Sequence, residues 1–392
     1  MADIVRAHGE ELRRAQPLSS EQRAVLHAIL RCRTSELGGH LDVCLACGHA
    51  EPAYNSCRNR HCPKCQALAQ ARWVARRSER ILPTHYFHVV FTLPAELRPL
   101  AQRNPRRIYD LLFATASETL LDLGRDEKWL GAELGITAVL HTWTRELAFH
   151  PHVHCIVTGG GLTADGAAWR SSPPDFLFPV RVLGALVRGK MLDALGRAHR
   201  RQPFDLGGAG ADPQAFEQLL AALRRRSWVV YAKRPFGGAA QVVRYLGQYT
   251  HRIGISNHRL VSFRNGEVTF RTKNGEHRTM AAKDFLARFV QHVLPPGFVK
   301  LRHYGLMSPS HATTRLEDAR RILDADGATH ECDEAAPNAD ATARVAAHAT
   351  WPELLLALTG VDVKRCPSCG QAAIVRRPLV AAEARAPPEA AT

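Results

Sequence analysis

No stretch of the sequence approaches the roughly 18 uninterrupted apolar residues that a membrane-spanning helix needs, which sets aside a bilayer-spanning role. The N-terminus, MADIVRAHGEELRRAQ, lacks the apolar core of a signal peptide. No internal repeat is found, so the chain gives no sign of a repeat architecture. Acidic residues are in deficit, with 37 Asp and Glu against 52 Lys and Arg among 392 residues, a net charge of +15. From His311 onward acids outnumber bases by 12 to 9, so the basic excess belongs to the body of the chain. Such a balance points to a polyanionic partner. The ten cysteines stand mostly in C-x2-C pairs, which favours a reducing cytosol and metal sites over a disulfide framework.

A chain of this length buries a substantial core and suggests two or three units. Ser20 to Cys32 has helical spacing with Ser19 or Ser20 as N-cap, and Gln66 to Ile81 reads as a strongly basic helix. From His85 the pattern changes. HYFHVVFTL reads as a strand, a helix follows around Ile108 to Leu123, and ITAVLHTW and PHVHCIVTGG read as two antiparallel strands. SWVVYAKRP is a further strand, AAQVVRYLGQYTHR has helical spacing, and RLVSFRNGEVTFRTK is a hairpin turning at Asn265-Gly266. KDFLARFVQHVL is an amphipathic helix closed by Pro295. The expected class is α+β.

Cys44-x2-Cys47 and Cys62-x2-Cys65 have near the two-knuckle spacing of a four-cysteine zinc site, because each tight turn presents two thiolates and two turns complete a tetrahedron. Cys57, His61, His40 and His49 lie in the same segment, as alternates for one of the four or as ligands of a second site. A closed tetrahedron leaves no open position, so this zinc is expected to be structural, with Arg58, Arg60 and Lys64 around it gripping DNA. A separate pair, Cys366-x2-Cys369, has no knuckle after it, and either borrows Cys332 or His330 or holds no metal.

His152 and His154 occupy alternate positions of a predicted strand, so both imidazoles emerge on one face while Val153 points into the core. Such a pair can hold a divalent ion. Tyr245 and Tyr249 stand four apart on a predicted helix, hence on one side of it. An i, i+4 tyrosine pair is more often packing than catalysis, but Arg244, Gln248, His251 and Arg252 surround this one with groups suited to phosphate contact.

Taken together, HPHVHCIVTGGGL, YLGQYTHRIGISNHRL and NSCRNRHCPKCQ resemble the motifs of the insertion sequence ninety-one family of transposases, two-tyrosine members of the HUH superfamily. The resemblance runs from about Leu18 to Ser310. It implies a ferredoxin-like HUH nuclease core, with His152 and His154 ligating Mg2+ or Mn2+ and Tyr245 and Tyr249 as nucleophiles that form a 5′-phosphotyrosine link. Gln248 is favoured over Glu146 as a third ligand because it travels with the tyrosines. Lys233, Arg234, Arg244 and Arg252 are expected to touch phosphates of single-stranded and element-end DNA. The expected organisation is a helical zinc-binding domain over 1–82, the nuclease domain over 83–310, a linker over 311–350, a helix and knuckle over 351–375 and a disordered tail over 376–392. A replication initiator or relaxase shares this chemistry. A zinc-dependent DNA-binding regulator, in which the histidines and tyrosines are structural, would bind without cleaving.

Overall fold

The computed structural model describes residues 1–65, 67–78, 80–207, 213–233, 247, 254–272, 275–325 and 350–379. In chain order they form α1 (Ala2–Ala15), α2 (Ser20–Arg31), β1 (Gly39–Cys44), β2 (Ala50–Tyr54), α3 (Ala67–Ser78), β3 (Tyr86–Thr92), α4 (Arg98–Arg103) and α5 (Pro105–Arg125). Then come β4 (Glu133–Trp143), β5 (Phe149–Leu162), β6 (Trp169–Ser171), α6 (Val180–Arg201), α7 (Pro213–Arg225) and β7 (Val230–Lys233). The remainder comprises β8 (Leu260–Arg264), β9 (Glu267–Arg271), β10 (His277–Ala281), α8 (Ala282–Val290), β11 (Leu301–Gly305), α9 (Arg315–Ala325), α10 (Trp351–Thr359) and β12 (Ile374–Leu379). The class is α+β with antiparallel sheets. Among the described residues no helix is long and apolar enough to cross a membrane.

The chain divides into two compact units, one of Met1–Ala75, His251–Val293 and Asn338–Thr392, the other of Arg76–Thr250 and Leu294–Pro337. This departs from the expected boundaries. The stretch around β8 to α8, assigned by its sequence position to the nuclease domain, belongs with the N-terminal helices, because the apolar sides of α1 and α8 need cover and find each other. Ile4, Val5 and Leu12 of α1 and Phe285 and Phe289 of α8 are buried. Gln22 Nε2 donates to the Val290 carbonyl at 2.9 Å, and the Lys283 ammonium lies 3.6 Å from the Glu11 carboxylate.

Within the first unit, α2 starts at a reciprocal cap in which Ser19 Oγ accepts from the Gln22 amide and the Gln22 side chain accepts from the Ser19 amide. The β8–β9 hairpin turns at Asn265 and Gly266, both with positive φ (51° and 75°), the backbone that a two-residue hairpin loop demands. A second sheet has the order β12-β1-β2. Its outer strand corrects the expected tail from residue 376: Ile374–Leu379 pairs along all of β1, from Gly39 opposite Leu379 to Cys44 opposite Ile374. β2 occupies only one edge of β1, and the row of amides and carbonyls along the other edge takes β12 as its partner.

The second unit is built on an antiparallel sheet of order β11-β4-β5-β3-β7, with β6 paired to β5. On one face, Val153, Cys155 and Val157 of β5 are fully buried, and Gly124 of α5 approaches Leu134 of β4 closely, so α5 covers that side. The opposite face carries polar side chains at the centre of the sheet.

Candidate metal centres

Strand alternation puts His152 and His154 on that opposite face, and the pairing of β4 with β5 sets His141 directly across from His152. One imidazole nitrogen from each of His141, His152 and His154 lies within 4.8 Å of the other two. The ring centroids are 4.7 Å apart for His152–His154, 4.3 Å for His141–His154 and 5.4 Å for His141–His152. Between the pairs His141–His152 and Trp143–Phe149 the register slips by one residue, so the extra residue falls at His150–Pro151, immediately before the cluster. Bulges of this kind re-aim the side chains beside them.

Hydrogen bonds orient the rings. His152 Nδ1 lies 2.6 Å from the His150 carbonyl oxygen, to which it donates, leaving Nε2 as the nitrogen with a lone pair for a ligand. His154 Nδ1 lies 2.7 Å from Nε2 of His88, a neighbour on β3, and the two rings stack at an interplanar angle of 13°. When the proton of that bond sits on His154 Nδ1, His154 Nε2 is likewise available. Arg98 Nη2 donates to His150 Nδ1 at 2.8 Å and so braces the bulge.

Burial pushes His152 and His88 down to about 4 and holds His141 and His154 well below the ordinary imidazole value, the neighbouring imidazoles adding to the effect at His141 and His154. These rings are therefore neutral at physiological pH, the form that binds metal. Three neutral nitrogen donors fit a first-row transition ion better than Mg2+, which prefers oxygen ligands.

Further along the same face, β7 contributes Lys233, in register with His88, and Tyr231, in register with Val90, which itself faces His154. Tyr231 is 46 % exposed and the Lys233 ammonium lies 5.3 Å from its ring. Tyr245, Tyr249, Gln248, Arg234, Arg244 and Arg252 lie outside the described residues.

The cysteines form two clusters instead of the single site expected of Cys44, Cys47, Cys62 and Cys65. Cys32, Cys57, Cys62 and Cys65 make one, and Cys44, Cys47, Cys366 and Cys369 the other, each with its sulfurs within 4.8 Å of one another. The reason for the split is that Cys44 ends β1 and Cys47 follows it, where the strand beside β1 is β12, whereas Cys62 and Cys65 face the C-terminus of α2, whose C-cap is Cys32. Cys57, an alternate on sequence grounds, is a full member, with its Sγ 3.5 Å from that of Cys65. His61 is not in the group; its Nδ1 lies 3.1 Å from Asn59 Oδ1. The hydrogen-bonded contact between Cys65 and Cys62 pulls Cys65 down to about 4 and pushes Cys62 up, while burial pushes Cys57 up to about 12. A thiolate is thus already favoured at Cys65, which suits a structural zinc. Arg58 and Lys64 beside this cluster are exposed and Arg60 is half-buried.

His141, Cys32 and the partnership of Cys366 and Cys369 with Cys44 and Cys47 are the cluster members that sequence reasoning missed. A histidine inside ITAVLHTW, a predicted strand next to the His-x-His strand, was the available signal for the first.

Residues 135–315, from β4 to the start of α9, match a family described as "Putative transposase", and residues 4–93 match a "Transposase zinc-binding domain". Over 385 residues the chain is 42% identical to "Putative transposase y4qJ" of Sinorhizobium fredii (strain NBRC 101917 / NGR234), covering 96% of this chain and 94% of that protein. Over 356 residues it is 29% identical to "Transposase for insertion sequence element IS801" of Pseudomonas savastanoi pv. phaseolicola, covering 87% of this chain and 80% of that protein. No solved structure matches the chain.

Proposed function

Because the chain belongs to the insertion sequence ninety-one family of transposases, we propose that it cuts and rejoins single-stranded DNA at the histidine face of its central sheet. The observation that carries this reading is the meeting of three neutral imidazoles on one strand-paired face. His152, His154 and His141 hold a divalent ion, for which the nitrogen donors favour Mn2+ over Mg2+, with His141 taking the place expected of Gln248. The ion, when bound, polarises the scissile phosphate and offsets charge developing on it. His150 and His88 fix the ligand tautomers. Lys233, on the same face as the imidazoles, attracts the phosphate backbone.

Tyr245 and Tyr249 supply the nucleophiles. A tyrosine oxygen attacks phosphorus, the bond to the 3′ oxygen breaks, and that oxygen departs as a hydroxyl after taking up a proton. The chain is left joined to the 5′ phosphate. Attack by a 3′ hydroxyl reverses the step and reseals DNA without ATP, and a second tyrosine allows a second cut while the first strand stays attached, as rolling-circle transposition requires. Arg58, Arg60 and Lys64 at the zinc-binding segment grip element-end DNA. Action on DNA in the cytoplasm accords with the reduced cysteines.

The test is incubation of purified protein with end-labelled single strands from its own element, in Mn2+ or EDTA, read as a covalent protein–DNA band on denaturing gels. A metal-dependent adduct is expected from the wild type and from one of the two single Tyr→Phe variants. It should be absent from the double variant Tyr245→Phe, Tyr249→Phe and from His152→Ala, His154→Ala. DNA binding with no adduct under any condition would overturn the catalytic reading in favour of a zinc-dependent DNA-binding protein.

A further inference from the structure

We infer that Cys44, Cys47, Cys366 and Cys369 bind a second structural zinc ion, whose ligands come in equal number from the two ends of the chain. The zinc-binding family match ends at residue 93, far short of the C-terminal pair. Across the cluster, Cys44 Sγ lies 3.6 Å from Cys369 Sγ and Cys47 Sγ lies 3.7 Å from Cys366 Sγ. A zinc–sulfur bond of about 2.3 Å gives a tetrahedral edge of about 3.8 Å, close to both distances, while a disulfide would bring the sulfurs to about 2.05 Å.

The two knuckles have the same backbone. The Gly48 amide donates to the Cys44 carbonyl at 2.9 Å and the Gly370 amide to the Cys366 carbonyl at 2.8 Å. The Cys44 amide donates to the His49 carbonyl at 2.8 Å, and the Cys366 amide to the Gln371 carbonyl at 2.9 Å. Gly48 and Gly370 share a left-handed φ, 73° and 75°, that side chains disfavour. A turn of this shape presents its two sulfurs to one point. Two such turns face each other, bridged by the Leu45 amide donating to the Ala373 carbonyl at 2.9 Å, and β12 then runs along β1. One knuckle therefore comes from the beginning of the sequence and its mate from the end, 319 to 325 positions away. Binding converts four thiols to thiolates and releases their protons, so the complex carries a local double negative charge. Arg376, 2.9 Å from Asp42 on the adjoining strand pair, and Lys364 and Arg365 beside the C-terminal knuckle supply nearby positive charge.

The experiment is mercurial titration of the full chain, purified without chelator, with released zinc followed by a metallochromic dye and with metal content measured in parallel. The wild type is expected to release two thiolate-held ions per chain. Cys366→Ser with Cys369→Ser should release one, and Cys62→Ser with Cys65→Ser should release the other. Cobalt substitution separates these sites from the histidine centre, since only tetrathiolate sites give strong sulfur-to-cobalt charge-transfer absorption. Because the paired variants carry a risk of misfolding, alkylation of the native wild type provides an independent reading. Cys44, Cys47, Cys366 and Cys369 should resist the reagent together and become reactive together when a zinc chelator is added. Free alkylation of Cys366 and Cys369 in zinc-loaded protein, a Cys44–Cys369 disulfide, or a zinc content unchanged by removal of the C-terminal pair would each overturn the inference.

Discussion

Replacing His141 by alanine removes one of three imidazoles that converge within 4.8 Å, and the size of the effect follows from its place in the cluster. Residues that only orient a ligand cost about 10- to 100-fold in metal affinity when lost. His88, which meets His154 nitrogen to nitrogen at 2.7 Å, belongs to that group. His88→Ala should therefore weaken Mn2+ binding by about 1.4–2.7 kcal/mol. A direct ligand is worth at least the upper figure, so His141→Ala should lose about 100-fold or more, with a parallel loss of the covalent DNA adduct. His141 is also buried, and the space left behind costs folding stability of about 1–3 kcal/mol on its own. Isothermal titration with Mn2+ reads the affinity, and thermal unfolding in EDTA isolates the folding cost. The reasoning fails if His141→Ala remains folded and binds Mn2+ as tightly as the wild type. It fails differently if Gln248→Ala abolishes binding while His141→Ala does not, which would return the third ligand to the tyrosine segment.

Three further outcomes follow from the same geometry. His152 and His88 sit near 4 in the folded protein and near the ordinary imidazole value of about 6.5 when unfolded, so the unfolded chain takes up protons first on acidification. The metal-free protein should keep its full stability above about pH 6.5 and lose it progressively toward pH 4, measured by denaturant melts across that window; stability that rises on acidification would contradict the buried, neutral imidazoles. Tyr231, exposed on the histidine face, offers a ring on which a base can stack, so Tyr231→Ala should weaken single-strand binding by about 1–3 kcal/mol in fluorescence anisotropy while leaving Mn2+ affinity intact. Alanine at Arg58 or Lys64 should weaken DNA binding for every sequence alike and lower the slope of log affinity against log salt by about one each; an unchanged slope would remove that residue from the phosphate contacts.

Local signals in the sequence carried much of the architecture. Asn265-Gly266 announces its hairpin because few other residue pairs accept positive φ twice in succession. His152 and His154 share a face because strand periodicity leaves no alternative. What depends on pairing between distant segments was hidden. His141 joins the centre through the register of β4 against β5, which no pattern within either strand states. The C-x2-C pairs are legible one by one, but nothing in their spacing says which pair meets which, and the expected combination of Cys44 with Cys62 gave way to a partner more than 300 positions distant. β12 was obscured by composition. Arg376, Arg377 and Pro378 read as a tail, yet a strand at the edge of a sheet tolerates both charge and proline.

The place of β12 also bears on timing. In the order β12-β1-β2, the outer strand is made more than 300 residues after the middle one. Until Ile374–Leu379 has been synthesised, β1 and β2 form only a two-stranded ribbon, an arrangement of marginal stability in water. A nascent or prematurely terminated chain would carry this sheet unfinished, with an open edge that invites degradation or aggregation. Maturation of the N-terminal unit is in this way tied to synthesis of β12, so a chain cut short before it would hold an unfinished sheet.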